Sequence, residues 1–157
     1  MHTLAALPFV GDRAVANGSS IVVLAEYEGR SVLLGADAFP EVVEASVNRL
    51  VASRMTHNLR IDAFKVSHHG SRHNTSNDLL AVLDCPRYPY STNGNIFGHP
   101  DPEAVSRVVV KGSSEPTLCF NYVSERNEMW ADPLLMRAAG FHAVFPSAGS
   151  SGVVIEL

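Results

Sequence analysis

The stretch Ser20-Ile-Val-Val-Leu-Ala-Glu-Tyr-Glu-Gly-Arg-Ser-Val-Leu-Leu-Gly-Ala-Asp37 decides the fold class. Two runs rich in β-branched and aliphatic residues, Ser20–Tyr27 and Ser31–Asp37, flank the tight-turn signal Glu28-Gly29-Arg30. Together they predict a β-hairpin. The apolar residues are continuous rather than alternating, so the hairpin is expected to be buried on both faces near its centre. Asp37 closes the second strand, where a carboxylate either starts a turn or enters a site.

Working outward, Met1–Gly18 has no periodicity and is expected to be an irregular lead-in. Downstream, Pro40 suits the first turn of a helix. Val42, Val43, Val47, Leu50 and Val51 continue it at helical spacing to about Arg54. Ile61–Ser67 predicts a third strand. Thr75 or Ser76 caps a short helix reaching Leu83. Arg87–Thr92 predicts a fourth strand, with Pro89 suggesting an edge or a bulge. Asp101-Pro102-Glu103 begins a helix to about Lys111. Thr117–Tyr122 is a strand, Asp132–Ala139 a helix stopped by Gly140, and Phe141–Phe145 and Gly152–Leu157 the last two strands. Ser147–Gly152 is expected to be a hairpin loop. The order β-β-α-β-α-β-α-β-α-β-β indicates an α/β layered domain.

Composition agrees with one folded unit. The chain has 157 residues, 46% hydrophobic and 18% charged, with a net charge of −4. That balance opposes nucleic-acid binding through basic charge alone. No apolar run approaches the ~20 residues of a membrane helix, and the first residues lack a signal peptide's basic flank, so a cytoplasmic location without membrane contact is expected. Cys85 and Cys119 lie far apart, outside any C-x-x-C, and are expected to be reduced core residues.

Polar residues gather after the strands. Asp37 follows the second, His68-His69-Gly70-Ser71-Arg72-His73 the third, and Ser91–Asn95 with His99-Pro100-Asp101 the fourth. In α/β sheets such loops assemble binding sites. Asp and His are suitable ligands for zinc or manganese, and Asp can bridge two ions. On local grounds alone Asp37 is more often a turn or capping carboxylate, His99 a structural loop residue and His73 a surface one. The His68–His69 pair suits a metal or catalytic role as readily as packing. His2, His57 and His142 are expected to be structural. No G-x-S-x-G elbow or phosphate loop occurs.

Several strings taken together shift this balance. The run Ala16–Ala38 with its Gly-x-Asp ending, then Lys65-Val-Ser-His-His-Gly-Ser-Arg72, Ser91-Thr-Asn-Gly94 and His99-Pro100, resembles the C-terminal half of a metallo-β-lactamase-fold hydrolase. The likeness is to the hydrolase domain of ComEC-type DNA-uptake proteins and its stand-alone relatives. It covers about residues 16–111 and extends faintly to the C-terminus. The resemblance implies half of an αββα sandwich, so that residues 1–157 form a single, partial domain with 1–18 as lead-in. It implies two divalent ions in the complete site, zinc first and manganese second. Asp37 corresponds to the carboxylate that bridges them and His69 to a ligand of the second ion. His68 and His99 are the candidates for catalytic contact at the metal edge, while Ser71, Arg72 and Asn93 lie near it without an assigned role.

The chain also departs from that family. The His-x-His-x-Asp-His motif of the first half is absent, and His2 is the only histidine before Asp37. The expectation is a hydrolase half, with a phosphodiester as first substrate guess, whose partner is the missing N-terminal half on the same or another polypeptide. Alone it should bind metal weakly or not at all, and be inactive. The alternative is a non-catalytic binding or assembly module. Such a half-sandwich would self-associate as a homodimer through its exposed sheet face.

Overall fold

The computed structural model describes all residues, Met1–Leu157. It is a mixed α/β fold whose elements in chain order are α1 (His2–Ala5), β1 (Val23–Tyr27), β2 (Arg30–Leu34), α2 (Pro40–Arg54), β3 (Leu59–Arg60), β4 (Ala63–Lys65), α3 (Asn77–Ala81), β5 (Leu83–Asp84), β6 (Arg87–Tyr90), α4 (Pro102–Lys111), β7 (Thr117–Phe120), α5 (Pro133–Ala139) and β8 (His142–Val144). No helix is long and apolar enough to cross a membrane.

Two three-stranded sheets, β1-β2-β4 and β6-β7-β8, carry the fold, and a two-stranded pair β3-β5 flanks them. Only β1 and β2 are antiparallel; β2–β4, β6–β7 and β7–β8 are parallel. The sheets meet where β4 lies beside β6, joined by a backbone bond from Val66 N–H to Pro89 O of 3.1 Å. In a parallel ladder a residue's N–H and C=O point to the same neighbour. Pro89 therefore turns its missing donor toward β4, and the ladder is interrupted there. Pro89 was expected to mark an edge or a bulge, and β6 is the edge strand of its three-stranded sheet, with the proline on the side that faces β4.

Register places Leu24, Leu33 and Phe64 in one row, and Tyr88, Leu118 and Ala143 in another. The Phe64 and Tyr88 rings meet edge to face, 6.4 Å apart, and tie the rows together. Over this inner face pack Val43 and Val47 of α2, Leu79 and Leu80 of α3, and Val105 and Val108 of α4, all in one buried cluster. Each such side chain contributes roughly 1.5–3 kcal/mol by leaving water. The other face of the strands carries Val23, Tyr27, Leu34 and Val144, which are 44%, 76%, 43% and 40% exposed. The hairpin is thus buried on one face only, and its continuous apolar pattern reflects exposed hydrophobic surface rather than a second covering layer.

Other expectations shift locally. Residues 20–22 precede β1, and Ile21 is exposed. The lead-in contains α1 and a single 3-10 turn, Asn17–Ser19. Of the expected third strand, Ile61–Ser67, only β4 (Ala63–Lys65) is strand, with β3 lying just before it; the helix after Ser76 stops at Ala81, leaving Leu83–Asp84 as β5. Ser76 does cap that helix, its Oγ accepting from Leu79 N–H at 3.0 Å. Asp132 caps α5 likewise, and Gly140 ends it with φ 68°. Residues 152–157 form no strand. Val153 N–H instead donates to Asn121 Oδ1 at 3.0 Å, so Ser147–Gly152 is no hairpin loop. Cys85 and Cys119 are buried and free.

Gly35 ends the hairpin under a tight roof. A Cβ there would overlap Ser67 Oγ and stand 3.1 Å from Phe64 Cε2. Gly35→Ala is expected to lower stability by about 1–3 kcal/mol in urea denaturation, because overpacking a closed core forces displacement. Unchanged stability would show that the turn is looser than this geometry requires.

Candidate functional site at the carboxyl edge of the strands

β2, β4 and β6 run the same way, so their C-terminal ends share one edge. After β2, Ala36 takes a left-handed backbone (φ 46°) and Asp37 follows it. Asp37 therefore sits in a turn beyond the strand rather than closing it, and is partly buried. After β4, Ser67–Gly70 forms a turn in which His68 (φ 44°) and His69 (φ 56°) are both left-handed. Gly70 continues that handedness at φ 88°, and a Cβ on it would lie 2.8 Å from Pro100 Cβ and Tyr90 Cδ1. Only glycine fits there. The His68 N–H donates to Ala36 O at 2.7 Å, locking the two turns together. Left-handed non-glycine residues cost of order 1 kcal/mol each and persist where the surroundings over-determine them.

Each histidine of this edge has its Nδ1 beside an oxygen. His69 Nδ1 donates to Ser91 O at 2.7 Å. His68 Nδ1 lies 3.0 Å from Asn74 Oδ1 and 3.5 Å from Asp12 Oδ2. His99 Nδ1 lies 3.4 Å from Asp101 Oδ2, an electrostatic contact without hydrogen-bond alignment. His73 Nδ1 donates to Val10 O at 2.8 Å while its Nε2 accepts from Arg72 Nε. The His68 ring is 5.3 Å from His99 and 6.3 Å from His69 between centroids. Three imidazoles are thus gathered with Nε2 left uncommitted, the arrangement in which an outer oxygen orients a ring for ligation or proton transfer.

A cleft of about 260 Å³ opens beside them, lined by His69, His99, Asn93, Phe97 and Tyr122 among others. A larger hollow of about 660 Å³ lies at the opposite end of the strands, near Arg30, Asp62 and Asp84, and contains no histidine. Its size does not make it the better candidate, because it gathers neither histidines nor the residues that follow β2, β4 and β6. Asp62 there accepts from Ser31 and Arg30.

Asp12 and Asn74 belong to the same network, although nothing in their local sequence sets them apart. Asp12 Oδ2 accepts from Asn17 at 2.6 Å and Asn74 at 3.1 Å, and its Oδ1 accepts from Ala14 N–H at 2.8 Å. Burial alone would raise its pKa. The hydrogen bonds from Ala14, Asn17 and Asn74, with a smaller contribution from His68, outweigh burial and hold the pKa at about 2. Asp101, placed by sequence at a helix start, does not cap α4; its Oδ2 accepts from Arg72 N–H at 2.8 Å. Burial would raise its pKa, and contacts with His99 and Arg72 bring it below the usual carboxylate value. Arg107, 2% exposed, donates to Arg72 O, Thr75 O and Leu7 O, and so ties α4 to the histidine loop and the lead-in.

The remaining candidates have structural partners. Ser71 Oγ accepts from His73 N–H, the Arg72 side chain pairs with Glu103 at 3.2 Å, and Asn93 Oδ1 accepts from Asn95 N–H. His2, His57 and His142 are exposed at the surface. Donor types here suit zinc or manganese in kind, and the anchored imidazoles suit them in preparation. No three His, Cys, Asp or Glu side chains are grouped to hold a metal ion.

The chain matches no family model, no curated protein and no solved structure.

Asp12 should contribute to stability in a pH-dependent way. A carboxyl whose folded pKa is depressed stabilises the fold above its unfolded pKa, and that contribution is lost as pH falls through the folded value. Asp12→Ala is expected to lose about 1–2 kcal/mol at pH 7, discounted for partial exposure. The gap from the native protein should narrow as pH drops from near 3.8 toward about 2. Urea denaturation at a series of pH values reads it, and a gap constant down to that range would contradict the assignment.

Proposed function

We propose that this chain carries part of the dinuclear metal centre of a metallo-β-lactamase-like hydrolase acting on a phosphodiester. The observation that supports the reading is the convergence, at one strand edge, of the Asp37 turn, the left-handed His68–His69 turn and His99, with each imidazole approached at Nδ1 by an oxygen. In this reading Asp37 bridges two ions and His69 holds one of them, with zinc preferred and manganese second. When bound, such a pair lowers the pKa of water and neutralises charge developing on a phosphoryl oxygen. His68 and His99 border the substrate. The ligands that this chain does not supply come from another segment, on the same or a different polypeptide. Its place is the strand face bearing Val23, Tyr27, Leu34 and Val144. The domain would then be one half of an αββα sandwich.

The test compares this chain with the protein extended by its upstream coding sequence. Metal content after dialysis and hydrolysis of bis-p-nitrophenyl phosphate are measured on both. The extended protein should retain zinc or manganese and hydrolyse the ester, and Asp37→Ala should lower both by at least about tenfold. An extended protein that binds neither metal and is indifferent to Asp37→Ala would end the reading.

The same exposed face supports a second reading, a non-catalytic module that pairs with a second copy of itself. Sedimentation at micromolar concentration should then show a dimer, and Tyr27→Lys with Leu34→Lys should return it to monomer. A native protein that sediments as a monomer contradicts this second reading.

A further inference from the structure

Asn74 is fully buried in the loop after the His68–His69 turn, and its amide touches polar atoms on both sides. The Nδ2 side faces three oxygens: Asp12 Oδ2 at 3.1 Å, Asp37 O at 3.2 Å and Ala38 O at 3.2 Å. None of these donates here, since the Asp12 carboxylate accepts from Ala14 N–H, Asn17 and Asn74, and the other two are backbone carbonyls. Flipping the amide would set its oxygen against all three. Its orientation is therefore determined by its surroundings, and Oδ1 must face His68 Nδ1, 3.0 Å away. An amide oxygen only accepts, so the hydrogen lies on Nδ1 and the lone pair on Nε2.

We propose that Asn74 is a positioning residue for His68: its amide, aligned by Asp12 and by the Asp37 and Ala38 carbonyls, holds the neutral imidazole as the Nδ1–H tautomer and leaves Nε2 as the acceptor or ligand atom of the site. This rests on the reading that His68 serves the candidate centre. It also gives the lead-in a role, because Asp12 reaches the histidine through Asn74. Free histidine side chains favour the opposite tautomer, with hydrogen on Nε2, so the network must reverse an intrinsic preference. Backbone carbonyls of the Asp37 turn are among the groups that do so. The same contacts thus place the proposed bridging carboxylate and set the tautomer of its neighbour.

Long-range ¹H–¹⁵N correlation spectra of the ¹⁵N-labelled chain, taken at one pH where imidazoles are neutral, read the tautomer directly. The native protein should show a pyrrole-type Nδ1 and a pyridine-type Nε2 for His68, with the exposed His57 as the reference in the opposite form. Asn74→Ala should shift His68 toward the Nε2–H form. A merely structural role predicts that Asn74→Ala lowers stability but leaves the His68 tautomer where it was. A native His68 with its hydrogen on Nε2 would overturn the proposal, and the native spectrum decides this even if a variant does not fold. The two claims fail separately. A locked Nδ1–H tautomer in a protein whose extended form holds no metal keeps the positioning role and removes the hydrolase reading. An Nε2–H tautomer with metal retained does the reverse.

Discussion

The hydrogen bond from His68 N–H to Ala36 O, 2.7 Å long, is the contact on which the candidate site depends. It joins two turns that are both left-handed at the bonded residues and that follow neighbouring parallel strands. Neither turn is stable by propensity, because alanine and histidine disfavour positive φ. Each is held by what lies around it: Gly35 gives room beneath Ser67 and Phe64, and Gly70 gives room beneath Tyr90 and Pro100. The parallel register Leu34 to Lys65 brings the turns to the same height, so that one backbone bond can link them. The consequence is chemical. Asp37 and the histidine pair lie thirty or so positions apart in sequence, and one seam of backbone brings them together.

A second layer of interactions closes around that seam from the N-terminal side. Asp12 N–H donates to His73 O, His73 donates back to Val10 O, and Arg107 reaches Leu7 O from α4. Asn77 holds Ala5 O at 3.0 Å, and the Phe9 ring lies 5.2 Å from the Arg107 guanidinium carbon. A buried charge with several carbonyl partners is costly to disturb, since removing them leaves it unpaired in a dry place. The first residues of the chain are thus fastened to the site by polar contacts at fixed points. A single short helix, α1, supplies the apolar part of the attachment against α4.

Much of the fold was legible in the sequence, for identifiable reasons. Pro40 and Pro102 at helix starts, Ser76 as a cap and Gly140 as a stop are local signals, and the structure uses each of them there. The hairpin was legible from its turn and its apolar runs, but its burial was not, because Tyr27 and Leu34 look the same in sequence whether covered or bare. Pro89 was legible for a local reason: a missing donor marks the side on which a ladder stops, and β6 is the edge strand of its sheet, facing β4 across the seam. The strand-end residues Asp37, His68, His69 and His99 announced themselves by chemical type. Asp12, Asn74 and Arg107 did not: Asn74 meets His68 only six positions away, but the contacts that orient its amide and that anchor Arg107 span 32 or more positions, which no local pattern encodes.

The central claim is that the turns after β2 and β4 present Asp37 and His69 to a shared metal ion. Crystals of the upstream-extended protein grown with zinc, with diffraction recorded on both sides of the zinc absorption edge, test it most directly. Anomalous density is expected at about 2.0–2.2 Å from an Asp37 carboxylate oxygen and from His69 Nε2. Zinc density remote from both side chains, or none in a protein with both turns in place, would contradict it.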